Sequence, residues 1–107
     1  MKLHHLPFEK IRCGEKTIEL RLFDEKRQQI KVGDEIVFTD TTTGETVTKG
    51  VIKIHVFDNF SELYESLPLL KCGYTAEDID SASPIDMEEY YSAEQQEKYG
   101  VVGIELC

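Results

Sequence analysis

The chain is 107 residues long, 40% hydrophobic and 31% charged, with a formal net charge of -9. Those values fit one soluble globular domain over residues 1–107, near the lower end of ordinary domain size. They exclude a bilayer-spanning helix, since no apolar run approaches roughly 18 residues. They also exclude a long basic nucleic-acid track, because each neutralised phosphate needs a cation. The charge is uneven: residues 1–56 hold 10 Lys+Arg against 9 Asp+Glu, whereas residues 57–107 hold 2 against 12. Any nucleic-acid contact is therefore local and drawn mainly from the first half, and the acid-rich surface equally serves solubility. Cys13, Cys72 and Cys107 are odd in number and lack CxxC spacing. This argues against a disulfide framework or structural zinc and is compatible with a reducing compartment. The first residues lack the apolar core of a signal peptide, so the expected location is cytoplasmic.

In chain order, Leu6 to Gly14 reads as a short helix. Pro7 fits the first turn, Phe8 and Ile11 share a face, and Gly14 fits a left-handed stop. Residues 17–22 alternate as a strand. A polar connection (24–29) leads to an extended piece that ends in a tight turn at Val32-Gly33-Asp34, and residues 35–39 alternate again. Asp40-Thr41-Thr42-Thr43-Gly44-Glu45 has hairpin-loop composition, and residues 46–56 return as a long strand with Gly50 as a candidate bulge. Asn59-Phe60-Ser61-Glu62 matches a capping box, and Phe60, Leu63, Tyr64 and Leu67 follow at the spacing of a buried helical face, stopped by Pro68. Thr75 to Asp78 can cap a further short helix. Ser92-Ala93-Glu94-Gln95 is another capping box, opening a helix that Gly100 ends, and residues 101–106 form a closing strand. The expected class is α+β, a small closed or nearly closed β-barrel with short helices packed around it.

The stretch Gly14-Glu15-Lys16-Thr17-Ile18-Glu19-Leu20-Arg21 is the most informative. Because strand side chains alternate, Ile18, Leu20 and Leu22 face one way while Thr17, Glu19 and Arg21 face the other. Glu19 and Arg21 can hold each other in position, and Lys16 adds a mobile cation at the start of the strand. Such a row suits a polar ligand in a cleft. It equally suits a surface ion pair worth at most about 1 kcal/mol.

The run Gly14-x-Lys16-x-x-Glu19-x-Arg21 resembles the signature of the ASCH family, a branch of the PUA-like β-barrel superfamily. The similarity continues through Val32-Gly33-Asp34-x-Ile36-x-Phe38, through Val56 to Leu63, and into Tyr99-Gly100-Val101-Val102-Gly103-Ile104-Glu105. It covers nearly the whole chain. The resemblance implies a PUA-like barrel, an association with RNA or a nucleotide-sized ligand, and a cleft beside the barrel lined by Lys16, Glu19 and Arg21. One small bacterial branch that resembles this chain hydrolyses N4-acylated cytidines. Its signature has a Lys at the position of Lys16 and a Thr nucleophile at the position of Glu19. Here Lys16 and Glu19 are the candidate catalytic residues on that alternative. Thr17 cannot stand in for the missing Thr, since its hydroxyl is displaced by about 7 Å along the strand. A Lys-plus-Glu site working on a water is what would remain.

Arg21 offers a planar fork for a phosphate or carboxylate, and Glu19 can orient that fork or accept from a base amino group. Tyr90 and Tyr91 are candidates to stack on a base; as neighbours they cannot share one face, so one lies near the surface. His4 and His5 lack metal spacing, His55 is isolated, and Cys13 has no evident base, so no metal or cofactor is expected. The acidic run Asp78, Asp80, Asp86, Glu88 and Glu89 reads as a solvated face. The expected partner is RNA or a nucleoside- or nucleotide-sized ligand, held by local contacts, and not a membrane.

Overall fold

The computed structural model describes residues 1–107. Five strands form one sheet: β1 (Lys2–Leu3), β2 (Ile18–Leu22), β3 (Glu35–Asp40), β4 (Thr46–Phe57) and β5 (Val101–Leu106), in the order β1-β3-β4-β5-β2. β1 runs parallel to β3, and every other pair is antiparallel. Three short helices accompany the sheet, α1 (His5–Arg12), α2 (Phe60–Ser66) and α3 (Ala93–Tyr99), with short 3₁₀ segments between α2 and α3. The class is α+β, and no helix is long and apolar enough to cross a membrane.

The ladder leaves β1 and β2 as the two edges, which in a flat five-stranded sheet would stand roughly 19 Å apart. Yet the Arg21 side chain on β2 donates from Nη2 to the Lys2 carbonyl on β1 at 3.1 Å. The sheet is therefore strongly curled, a half-barrel whose seam is spanned by a side chain instead of a backbone ladder. Of the closed or nearly closed barrel expected from the sequence, the structure shows a curled half-barrel with this open seam, because β1 is only two residues long and is already paired with β3.

Curling gives the sheet two apolar faces. Inside, Phe8 and Ile11 of α1 pack with Ile36 and Phe38 of β3, Val51 of β4, and Val102, Ile104 and Leu106 of β5. Outside, Ile18, Leu20 and Leu22 of β2 pack with Val101 and with Phe60 and Leu63 of α2. In antiparallel pairing, directly opposed residues share a face. Glu19 opposes Ile104 and Arg21 opposes Val102. The ionic row therefore lies on the inner face, at the open seam.

Several local expectations hold and others change. Gly14 has φ 87 after α1, and the Ser92 capping box opens α3, which Gly100 ends at φ 73. The register shift in β4 falls between Val51 and Lys53 against β5, whereas Gly50 keeps its pairing with Glu35. The Asn59 side chain accepts from the Glu62 amide, but the Glu62 carboxylate returns to the Asp58 amide, one residue earlier than a full capping box requires. Thr75 to Asp78 caps no α-helix. Asp78 turns back to the Thr75 amide, and only a 3₁₀ turn at Ile79–Ser81 follows.

α1 is anchored to the end of β3 by His5, whose Nδ1 bonds Asp40 Oδ2 at 2.7 Å while Asp40 Oδ1 accepts from the Thr42 amide at 2.8 Å. The Asp40 bond raises the His5 pKa above its ordinary 6.5. Burial opposes ionisation of Asp40, but the bonds from His5 and Thr42 outweigh it and hold the carboxyl below 3.8. The His5 contribution is thus fully present below pH 6.5 and fades as pH rises through its folded value; the Asp40 contribution fades only as pH falls below 3.8. An NMR titration of His5 is expected to give a midpoint above 6.5 that falls back in Asp40→Asn. A midpoint unchanged by that substitution would contradict the anchor.

Candidate functional site

The floor of the site is a buried carboxylate. Glu19 is only 2% exposed, and such a charge is tolerated only when its oxygens are paired. Oε1 accepts from Lys16 Nζ at 2.9 Å and from the Leu20 amide at 3.2 Å, while Oε2 accepts from Arg21 Nη2 at 3.4 Å. Local chain geometry puts the three groups together. Glu19 and Arg21 are two apart on one strand face. Lys16 reaches the same carboxylate from the turn after α1, where its amide bonds the Lys10 carbonyl at 2.9 Å.

Gly73 shapes the passage for the lysine. It has φ 113, and a Cβ built there would stand 3.3 Å from Lys16 Cδ, so the lysine stem runs against a bare backbone. The Gly73 carbonyl in turn accepts from Lys10 Nζ at 2.7 Å. Lys10 thus has one donor tied to the backbone. Lys16 likewise uses one of its three N–H donors on Glu19, and Arg21 uses only Nη2, leaving Nε and Nη1.

These groups open on a cleft of about 760 Å³. Lys16, Glu19, Arg21, Tyr90 and Tyr91 all line it, and Thr17 does not. The Thr17 backbone is fixed, its amide bonded to Lys71 O and its carbonyl to the Leu106 amide. Tyr91 stacks on buried Phe60, with centroids 5.9 Å apart, so it is a core-edge residue. Tyr90 is 60% exposed and is the aromatic free to receive a ring.

Among the lining residues that escaped the sequence reading as site residues are Cys72, Tyr64, Tyr74 and Asp86. Cys72 stands beside the ion pairs, but burial pushes its thiol up to about 11, so it carries no nucleophilic thiolate. Tyr64, Tyr74 and Asp86 form a chain, with Tyr64 and Tyr74 hydroxyls 2.7 Å apart and Tyr74 donating to Asp86 at 2.6 Å. The only signal for it was Ser83-Pro84-x-Asp86, which caps the 3₁₀ segment Pro84–Glu89 and fixes the carboxylate. One cluster also has the donor chemistry for a cation: the ligand atoms of His5, Glu9 and Asp40 lie within 4.8 Å of one another, a grouping that sequence spacing did not disclose. Asp40 is spent on His5 and Thr42, and Glu9 on Arg12.

Removing the carboxylate would leave two largely buried cations facing each other. Glu19→Ala is expected to lower unfolding free energy by about 3 kcal/mol, measured by urea denaturation. A loss under about 1 kcal/mol would show that the pairs behave as exposed ones.

Comparison with known proteins agrees with this architecture. The ASCH domain family model matches residues 1–107. The crystal structure of hypothetical protein PH0355 is similar, with a TM-score of 0.80 and 35% identity, over 99% of this chain and 94% of that one. So is the solution NMR structure of PF0455 from Pyrococcus furiosus, with a TM-score of 0.69 and 33% identity, over 99% and 96%. None of the curated proteins matches. With a family model matched from the first residue to the last and two solved structures sharing a third of its residues, the chain belongs to the ASCH domain family.

Proposed function

We propose that this ASCH domain binds one nucleotide unit, free or within single-stranded RNA, in the cleft above Glu19. The observation that carries the reading is that one buried carboxylate holds Lys16 and Arg21 side by side, each with unused donors, at the floor of a cleft walled by tyrosines. A floor of this kind suits a phosphate or base carbonyl, and an exposed Tyr90 suits a base face. The volume falls within the roughly 300–1,000 Å³ of small-ligand clefts. The curl of the sheet and its seam at β2 fit the PUA-like barrel implied by the sequence motif.

Charge limits the length of the contact. Asp78, Asp86 and Glu89 line the same cleft as the cations and oppose a continuing run of phosphates. The binding mode is a pocket for one unit, not a track. Hydrolysis of an acylated cytidine is less well served by the same geometry. Glu19 has both oxygens engaged and cannot act as a free base without breaking an ion pair, Thr17 lies outside the cleft, and the Cys72 thiol is held protonated. In a reducing cytoplasm the unpaired cysteines pose no difficulty for this role.

Isothermal titration with a nucleoside 5′-monophosphate and with single-stranded RNAs of two lengths tests the reading. Arg21→Ala is expected to weaken monophosphate binding by roughly ten- to a hundredfold, with circular dichroism confirming that the sheet persists. Affinity per site should not grow with RNA length. Equal or absent binding by wild type and variant would remove the proposal.

A further inference from the structure

The hydrogen-bond chain on the far wall has a direction, and that direction says what the wall can accept. Asp86 ends the chain, and an ionised carboxylate accepts hydrogen bonds without donating any. Tyr74 must therefore spend its single hydroxyl proton on Asp86, at 2.6 Å. The 2.7 Å contact between the Tyr74 and Tyr64 oxygens then leaves only one arrangement, with Tyr64 donating to Tyr74. The Tyr64 proton is consumed as well. What Tyr64 retains toward the cleft it lines is a lone pair.

Three features fix this polarity. Asp86 is held in place by the Ser83 amide, which donates to the same Oδ2 at 3.2 Å, so the carboxylate does not swing away. The two rings meet edge to face at 5.9 Å, which sets the hydroxyls against each other. Burial, then the bonds to Asp86 and Tyr64, push the Tyr74 proton well above the usual phenol range, so the chain stays protonated across working pH. Burial likewise raises Tyr64. Tyr64, Tyr74 and Asp86 come from α2, the loop after it and a 3₁₀ turn, so the chain also ties three segments together at the mouth of the cleft.

We infer that Tyr64, oriented through Tyr74 by Asp86, is a specificity-determining acceptor that selects nucleobases carrying an exocyclic amino group, cytosine or adenine, over their carbonyl counterparts. This rests on the nucleotide reading of the cleft. With a phosphate or carbonyl at Lys16 and Arg21, the Tyr64–Tyr74–Asp86 chain offers no donor to a second carbonyl. It offers an acceptor to an N–H. A uracil or hypoxanthine carbonyl turned toward Tyr64 would face an oxygen lone pair, whereas an amino group there completes the chain.

Isothermal titration with CMP against UMP and AMP against IMP gives the test. Wild type is expected to prefer the amino-bearing member of each pair by roughly tenfold. Tyr74→Phe frees the Tyr64 proton, so Tyr64 can donate or accept, and the preference should shrink to about twofold or less while overall binding survives. Asp86→Asn is a second route to the same loss, because an amide at that position can donate to Tyr74 and reverse the chain. Thermal melting checks that both variants fold. Binding of all four nucleotides with equal strength by wild type, or a preference unchanged in both folded variants, overturns the acceptor assignment and leaves the nucleotide reading standing. No binding of any of the four removes the nucleotide reading and this inference with it.

Discussion

A charge that should not be buried governs this molecule. Glu19 sits almost fully out of water on the inner face of a curled sheet, where an unpaired carboxylate would cost several kcal/mol. The fold answers with three donors: Lys16 from the turn after the first helix, Arg21 from the next inward position on the same strand, and the Leu20 amide between them. Two cations are thereby brought together although they repel. Neither exhausts its donors on Glu19. The proposed binding site rests on the same arrangement that makes the buried charge tolerable, and the carboxylate is a holder of cations before it is anything else.

The same arginine joins site to architecture. Its Nη2 serves both Glu19 and the carbonyl of Lys2, so the strand that carries the ionic row is tied to the opposite edge of the sheet. A barrel closed by backbone pairing would have no polar side chain to spare along this seam. Leaving it open to a side chain creates a place where charged groups meet solvent next to a dry interior of Phe8, Phe38 and Ile104. The same cleft is lined by tyrosines and carboxylates from α2 and the segments that follow it. The cleft is thus bipolar, cationic on the sheet side and accepting on the loop side. A ligand with an anionic or carbonyl end and an N–H end matches both.

What could be read from the sequence was what local periodicity encodes. The alternation of Ile18, Leu20 and Leu22 against Glu19 and Arg21 defined two faces before any fold was known, and Ser92 with Gln95 marked a helix start that Gly100 duly ended. The motif resemblance pointed to the family that the whole-chain match shows. Features made by convergence were not legible. β1 is two residues long, too short for any pattern, and exists because Lys2 and Leu3 find Thr39 and Asp40. The irregularity in β4 sits at Ile52, where β5 demands it, and not at the glycine two residues earlier. Thr17 belongs to the motif by position but does not line the cleft. Tyr64 obeyed the helical spacing of a core residue, Tyr74 stood in a stretch without periodicity, and Asp86 looked like one more solvated acid. Only folding brings their oxygens within hydrogen-bond distance of one another.

The account stands on the ion-paired floor and the tyrosine wall forming two sides of one ligand site. Amide chemical-shift mapping during titration with CMP addresses that directly. The account predicts that the largest shifts cluster at Lys16, Leu20 and Arg21 on one side and at Tyr64, Tyr74 and Tyr90 on the other, saturating together. Shifts confined to the outer surface of β3 and β4, around Val37 and Thr48, or saturating separately on the two walls, would contradict it.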